Sequence, residues 1–401
     1  MIENQWIPSG SVQAVGAAHG VGVDRRRRLL FLSMYDPHVP LTGAGTRGGE
    51  FVNHLARRFD VDLLYLDGSG QPPDPVLSER FAGRLVGLRS RTRIPYRQFD
   101  YFVFSRRLYQ EARRLMRRHR YDWVVCDYGL SAIYGLLLQR EFGVPFIYCS
   151  HNVEYLVQTD KAKRDKRRWL LAPYVYLVER LGVRHARLVV AITAEDARHY
   201  SKWTPREKIL VIPQGVDLAV FNPHYDPPKN DPNVVLFCGN YNIQFNRDAV
   251  DVVIERILAP VLARRPRTIF RFVGLGPPTT IRHPNVEFTG FVEDYPSLLK
   301  AADVFISPVQ QGRGFPTKII EALACGKPVI ATPVAARAIP RDFERLRVHT
   351  IEEFPDAICR ALEEGRPVAA GDFAKVRDRY SWAANIDRLG DWIEAGGAVA
   401  R

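Results

Sequence analysis

Long hydrophobic runs are missing from this chain. Nothing approaches the roughly 18 consecutive apolar residues of a membrane-spanning helix. Residues 1–24 hold no continuous apolar stretch ahead of a cleavage signal, so they read as a loose tail and not as a secretion leader. Cysteine is scarce. Cys126, Cys149, Cys238, Cys325 and Cys359 are widely spread, four of them in or beside apolar runs, and none forms a Cys-x-x-Cys pair. That spacing excludes a disulfide framework or a cysteine metal site. It fits small buried residues in a reducing compartment, which points to the cytoplasm. Gly 29 and Pro 28 build no low-complexity tract. With 46% hydrophobic, 25% charged and 11% aromatic residues, the chain is not disordered, collagenous or a coiled coil.

Several functional signatures are absent too. There is no Gly-x-Gly-x-x-Gly followed by an acid and no P-loop, so nicotinamide binding and ATP hydrolysis have no support. No helix-turn-helix, zinc finger or aromatic-rich RNA motif occurs, which argues against a specific nucleic-acid partner. The sequence does hold an excess of positive charge, +13 over 401 residues. Residues 1–230 carry 35 basic against 23 acidic side chains, and residues 231–401 carry 22 against 21. Any anionic partner should therefore be met by the first half.

Short apolar runs alternate with helical segments along the whole length. In the first half the runs are Leu29–Met34, Val61–Leu66, Trp123–Cys126, Pro145–Cys149, Leu188–Ile192 and Ile209–Ile212. In the second they are Val234–Cys238, Ile269–Val273, Val286–Thr289, Val304–Ser307 and Pro328–Ala331. Several are continuously apolar, as parallel strands buried on both faces should be. Amphipathic helices are expected at Gly49–Arg58, Arg106–Arg120, Ala249–Ala263, Tyr295–Ala302 and Thr317–Ala324. The pattern predicts an α/β fold of two doubly wound, Rossmann-like parallel sheets facing across a cleft. The expected divisions are a tail (1–24), a first domain (25–220), a linker (221–233), a second domain (234–380) and a last helical segment (381–401). Four prolines within Phe221–Pro232 mark the linker. The last segment has no strand of its own to cover and is expected to return to the first domain.

Ligands of such sheets bind at the carboxyl ends of the strands. Ser307–Ala331 reads strand, Gly-rich turn, helix, Gly stop, strand. Gly312 and Gly314 let backbone N–H groups approach an anion at a helix start. Lys318 is unfavourable in a first helical turn unless a phosphate lies there, and Glu321 is placed to accept from vicinal hydroxyls. A solvated helix start with one Glu–Lys neighbour reads equally well. Gly274 and Gly276 follow one strand and Gly290 ends another. A tight turn and a plain loop account for these as well as ligand contact does. In Leu41–Phe51 four glycines in seven residues surround Arg47, a phosphate-cradle composition. His151 follows the strand Pro145–Cys149, at a cleft position. Seven arginines in Arg106–Arg120, and six basic residues in Lys161–Arg168 followed by Trp169-Leu-Leu171, suit either an anionic membrane surface or a solubilising face.

In order and spacing these segments resemble the GT-B glycosyltransferases of family 4, retaining enzymes that use nucleotide sugars. The likeness runs from about Arg28 to Trp392. It is carried by Gly43–Gly49, Ser150-His-Asn-Val-Glu154, Ile212-Pro-Gln-Gly-Val-Asp217, Gly239 with Asn246-Arg-Asp-Ala249, Phe272–Gly276, Phe288–Val292 and Gly314–Pro328. The His-Asn-Val-Glu and Asn-Arg-Asp-Ala pieces resemble the branch that builds bacterial exopolysaccharide or envelope glycans. The resemblance implies that Gly290 and Val292 contact the base, Glu321 the ribose, and Lys318 the diphosphate. It implies approach by Gly239, Gly274, Gly276 and Gly314, and by Gly48 and Gly49 from the first domain. It places His151 at the transferred sugar and needs no metal or other cofactor. Two departures stand out. The family has two glutamates eight positions apart, and Arg313 stands where the first belongs. The diphosphate arginine of many members is replaced by Arg247 or by Arg313.

The leading expectation is transfer of a sugar from a nucleotide-diphosphate donor to a glycan or lipid-linked acceptor, in the cytoplasm or at the inner face of the cell membrane. The alternatives are a non-hydrolysing nucleotide-sugar epimerase on the same fold, a basic nucleic-acid-binding protein, and a membrane scaffold without catalysis.

Overall fold

A computed structural model describes residues 25–34, 43–67, 85–89, 104–163, 169–224, 233–278, 280–312, 314–365 and 370–397. The expected tail, most of the linker and Arg313 lie outside the described residues. Two parallel sheets organise the chain. The first has seven strands: β1 (Arg28–Ser33), β2 (Asp60–Asp67), β3 (Leu85–Arg89), β4 (Trp123–Asp127), β5 (Phe146–Cys149), β6 (Leu188–Ala191) and β7 (Ile209–Val211). Their order is β3-β2-β1-β4-β5-β6-β7. The second has six: β8 (Val234–Cys238), β9 (Ile269–Val273), β10 (Val286–Gly290), β11 (Val304–Ser307), β12 (Val329–Ala331) and β13 (Leu346–Val348), in the order β10-β9-β8-β11-β12-β13. All registered pairs are parallel. β3 and β13 were not expected. β13 has only three residues, and β3 carries a glycine, so neither makes a long apolar run.

Central strands are buried end to end, as in Trp123-Val-Val-Cys-Asp127 and Val304-Phe-Ile-Ser307. Helices cover both faces of each sheet. In the first lobe they are α1 (Gly43–Leu55), α2 (Arg106–Arg118), α3 (Ser131–Phe142), α4 (Glu154–Ala162), α5 (Leu171–His185) and α6 (Ala194–Tyr200). In the second they are α7 (Gln244–Val252), α8 (Leu258–Arg264), α9 (Tyr295–Ala301), α10 (Thr317–Ala324), α11 (Phe354–Glu364) and α12 (Ala370–Tyr380), and a last helix, α13 (Trp382–Glu394), follows them. The single helix expected over Ala249–Ala263 is broken by a π turn at Val253–Ile257. Pro260 is the cause: it has no N–H, and its ring crowds the carbonyl four residues back.

In both sheets the strand order reverses beside the first strand of the lobe, between β1 and β4 and between β8 and β11. Such switch points leave a crevice at the carboxyl ends of the strands.

The last helix, α13, packs on the first sheet and not on the second. Trp382, Ile386, Leu389 and Ile393 share a core with Phe51, Leu55 and Trp123. Trp123 and Trp392 rings lie 5.0 Å apart. Arg58 donates to Asp391 at 2.8 Å and to Glu394 at 2.9 Å, while Arg27 caps the final carbonyls of α13. The crossing is pinned at Gly215 and Val216. The Val216 N–H donates to the Tyr380 carbonyl at 2.9 Å, and a Cβ on Gly215 would lie 2.2 Å from the Trp382 ring. We therefore expect Gly215→Ala to dislodge Trp382 and destabilise the chain by about 1–3 kcal/mol. Calorimetry should find a lower melting temperature. An unchanged one would mean that Trp382 does not anchor the crossing.

Candidate functional site

The first half of the site stands on the crevice between β1 and β4. Asp127 ends β4 and is buried. Its Oδ2 accepts from the Ser33 hydroxyl of β1 at 3.2 Å, and its Oδ1 lies 2.7 Å from Nε2 of His151, just beyond β5. A carboxylate at that nitrogen assigns it the proton, leaving Nδ1 as the acceptor of the imidazole. Tyr128, next in the chain, takes φ +72°, a strained conformation for an aromatic residue. Its ring stands perpendicular to His151, centroids 5.2 Å apart.

The Gly-rich segment after β1 behaves differently from a cradle loop. It is helical from Gly43, so the helix starts six residues earlier than expected. Gly48 and Gly49 are buried in the helix body, where their N–H groups belong to the i→i−4 ladder. What they offer is close approach. A Cβ on Gly48 would stand 3.0 Å from Oδ2 of Asp127. Arg47 is fully buried, stacks 4.6 Å from the Phe51 ring centroid and donates to the carbonyls of Ile212 (2.9 Å) and Pro213 (3.1 Å). Burial lowers its pKa to about 10, against the pull of Cys149 and Asp127. It is a strut of the fold and not a phosphate ligand.

In the second lobe the ends of β8, β9 and β10 meet through glycine backbone. Gly239 N–H donates to the Val273 carbonyl at 3.0 Å, and Gly274 N–H to the Gly290 carbonyl at 2.9 Å. Gly274 has φ +139°, and a Cβ there would fall 1.8 Å from the Gly239 carbonyl oxygen, so only glycine fits. Gly276 faces Asn242, and Val292 packs half-buried against the core. Gly290 opens onto empty space on its Cβ side, beside the exposed Phe291. Arg247, a candidate for the diphosphate, donates from Nε to the Tyr241 carbonyl and so braces its own loop.

After β11 the chain turns through Gly312 (φ +127°) and Gly314 (φ +116°) into α10. Arg337 donates to the Gly312 carbonyl at 2.7 Å. Lys318 and Glu321 pair at 3.0 Å, and the Lys318 ammonium lies 4.2 Å from the Tyr295 ring centroid. Glu321 is buried, while the Lys318 side chain keeps 44% of its surface exposed. Burial opposes the Lys318 charge, but Glu321 more than offsets this and holds the lysine pKa above its usual value. Burial raises the Glu321 carboxyl, with Lys318 resisting.

The two lobes meet at an open, shallow pocket. His151, Asn152 and Asp196 line one side, and Gly314, Phe315 and Arg337 the other. Oδ1 of Asn152 lies 3.7 Å from where a Gly314 Cβ would stand. Asp196 caps the start of α6 with Thr193, and burial raises its pKa against the Thr193 hydrogen bond. The structure thus brings His151 and Gly314 into one pocket, which Lys318 and Glu321 do not line, and joins Gly239, Gly274 and Gly290 to one another through backbone at the strand ends. Sequence reasoning missed Asp127, Asn152, Asp196 and Arg337. Asp127 carried a usable signal, an acid closing an apolar strand. Arg337, in an irregular segment, carried none. Among the described residues no group of three or more His, Cys, Asp or Glu side chains could hold a metal ion.

Comparison with known proteins identifies the fold. A family described as Glycosyltransferase Family 4 matches residues 41–220, and one described as Glycosyl transferases group 1 matches residues 232–364. The chain is 25% identical to a D-inositol 3-phosphate glycosyltransferase of Arthrobacter sp. (strain FB24), over 94% of this chain and 89% of that one. Sucrose-phosphate synthase from Thermosynechococcus elongatus superposes with TM-score 0.71 at 20% identity, covering 92% of this chain and 99% of that chain. Anabaena HepE, crystallised with UDP and glucose, superposes with TM-score 0.66 at 16% identity, with the same coverage.

Gly48 gives a test of the Asp127 arrangement. Alanine is about 1 kcal/mol better than glycine inside an ordinary helix. Here the new methyl would press on a carboxylate held from two sides, so Gly48→Ala should bring no gain in urea midpoint and should shift the His151 ring nitrogen resonances. A stabilised variant with an unmoved His151 spectrum would refute the packing described.

Proposed function

This chain belongs to the family 4 glycosyltransferases, enzymes of the GT-B fold, and on that premise we propose how it moves a sugar from a nucleotide-diphosphate donor to an acceptor. The observation that carries the reading is the shared pocket, with the His151–Asn152 segment facing the Gly314 turn. Glycine backbone around Gly239, Gly274 and Gly290 leaves room for a nucleoside, with Gly290 and Val292 towards the base and Glu321 towards the ribose. Gly312 and Gly314 lead into the start of α10, where Lys318 carries exposed positive charge for the diphosphate. Before the donor arrives, Lys318 and Glu321 satisfy each other. A diphosphate and a ribose would divide the pair, giving each group a stronger partner.

Transfer then breaks the bond from the anomeric carbon to the diphosphate oxygen. The acceptor hydroxyl attacks that carbon from the same face, which retains configuration, and its proton passes to the departing diphosphate. Lys318 and the backbone N–H groups of the turn stabilise the charge that develops there. His151, fixed by Asp127, presents Nδ1 to the sugar. The arrangement assigns no step to a metal. Removing Lys318 by K318A should lower kcat by about 10²–10³-fold. Glu321→Ala should weaken donor binding by about 10–100-fold. Steady-state transfer with a panel of nucleotide sugars checks both, and unchanged rates would overturn the site assignment. A donor converted to its epimer with no acceptor present would favour the epimerase reading.

A specific surface favours an acceptor presented at an anionic lipid surface. Trp169 and Leu170, just before α5, and Leu177, two turns into it, are 52%, 87% and 53% exposed. They follow the six basic residues of Lys161–Arg168. The α2 arginines suit this role less, because Arg113 and Arg117 converge on Glu141 and Arg114 pairs with Glu111. No described helix is long and apolar enough to cross a membrane. The chain should co-sediment with phosphatidylglycerol vesicles, with each basic residue near the lipid adding about 1 kcal/mol. Binding should drop at high salt and in a Leu170→Ser, Leu177→Ser double variant. Equal binding to zwitterionic vesicles, or none, would remove the lipid surface from the reading.

A further inference from the structure

The turn that leads into α10 is gripped from outside, by a segment that the transfer step leaves unused. After β12 the chain folds back through Thr332–Arg337 alongside the loop that follows β11. Thr332 begins the contact. Its N–H donates to the Ser307 carbonyl at 3.1 Å, and its buried hydroxyl donates to the Val309 carbonyl. The same hydroxyl oxygen accepts the Ala335 N–H at 3.1 Å, and the Ala336 N–H donates to the Thr332 carbonyl at 3.0 Å. These bonds close a compact turn whose Ala335 and Ala336 are buried in the second-lobe core. The turn delivers Arg337 to the surface, where its Nη1 donates to the Gly312 carbonyl at 2.7 Å. The segment therefore holds the loop at two points, Val309 and Gly312.

The second hold falls where the backbone has least support of its own. Gly312 takes φ +127° and Gly314 φ +116°, a region that side-chain-bearing residues rarely enter. Glycine has many other conformations open to it, so its presence allows this turn without fixing it. Packing does not confine Gly312 either. A Cβ there would stand 3.5 Å from the Phe245 ring, an ordinary contact distance. Beyond Gly314 the chain is anchored, because the Phe315 ring packs 5.7 Å from that of Tyr380. The open end is the Gly312 carbonyl. A carbonyl is coplanar with the rest of its peptide unit, so holding it orients a whole peptide plane of the turn. A guanidinium does this with a charge-assisted hydrogen bond, stronger than a neutral one.

This brace stands at the pocket between the lobes. Arg337 lines it together with Gly314 and Phe315, opposite His151 and Asn152. We propose that Arg337 is a positioning residue for glycosyl transfer: by holding the Gly312 carbonyl it fixes the turn whose N–H groups and following helix start meet the departing diphosphate. The inference rests on the reading of that turn as part of the donor site. Arg337 acts through the turn and not on the base or ribose, which are assigned to Gly290, Val292 and Glu321. Its loss should therefore spare donor binding and reduce turnover, because a displaced turn no longer meets the charge that develops on the leaving group.

The test compares the full-length wild-type chain with R337A, R337K and R341A. Arg341 is an exposed arginine four residues further on, and its removal controls for the loss of one surface charge. The readouts are kcat and donor KM, the melting temperature, and the Gly312 carbonyl and Gly314 amide resonances of glycine-labelled protein. R337A should lose about 10–100-fold in kcat with little change in donor KM. Its Gly312 and Gly314 resonances should shift, while its melting temperature stays close to that of the wild type. R337K retains a charged donor and should restore much of the turnover and of the wild-type spectrum. R341A should match the wild type throughout. Unchanged turnover in R337A, unmoved Gly312 and Gly314 resonances, or an equal loss in R341A would each overturn the proposal. If the wild type transfers no sugar, yet R337A shifts the two glycine resonances and R337K restores them, the hold on the turn stands and the transferase reading fails.

Discussion

Asp127 stands where the order of the first sheet reverses, and its two oxygens tie together elements far apart in the chain. One holds Ser33 at the end of β1, and the other holds His151 beyond β5. Much of the first half of the site follows from that constraint. The carboxylate selects the imidazole tautomer and leaves Nδ1 as acceptor. It leaves little space for a side chain at position 48, where a Cβ would stand 3.0 Å from Oδ2, so glycine lets the helix that follows β1 approach closely there. The strained backbone of Tyr128 comes immediately after the same residue and sets an aromatic ring against His151. Strain of this kind persists only where the surroundings over-determine it, and here the Tyr128 N–H is held by the Cys149 carbonyl at 2.9 Å.

The second lobe solves a different problem by other means. In the proposed transfer it has to admit a flat base, a ribose and a diphosphate, and its strand ends meet largely through backbone. Gly274 lies so close to the Gly239 carbonyl that no side chain could intervene, which lets three strand ends converge. The charged groups are few and already matched. Lys318 rests on Glu321 and over Tyr295, and Arg247 and Arg337 hold carbonyls of the loops that form the rim. A site whose charges are paired in the absence of ligand avoids an isolated buried charge, and its cations meet the donor already oriented.

The excess of positive charge also divides by role. Arg47, Arg27 and Arg58 serve the architecture, one inside the first lobe and two clasping the last helix to it. Several α2 arginines are taken up by Glu141 and Glu111. A further basic run, Lys161–Arg168, precedes the exposed Trp169 and Leu170 in the sequence. Residues 231–401 carry 22 basic against 21 acidic side chains, so the second half of the chain projects little long-range field.

The amino-acid sequence by itself determined the α/β class, the two-lobed plan, most strands, and the glycine-rich turns at Gly274, Gly290 and Gly312–Gly314. These features are written in local terms: apolar runs of strand length, helical periodicity, and residues that alone tolerate a left-handed backbone. It also placed His151 and Lys318 at strand and helix ends, where ligands gather. What it left open depends on contacts between residues distant in the chain. The starting point of α1 and the commitment of Arg47 to the Ile212–Pro213 turn were decided only by packing. The partnership of Asp127 with His151 was decided the same way, and so was the hold of Arg337 on the Gly312 carbonyl. A side chain's charge can be read from its name, but its partner, and hence its work, comes from the neighbours that the tertiary structure supplies.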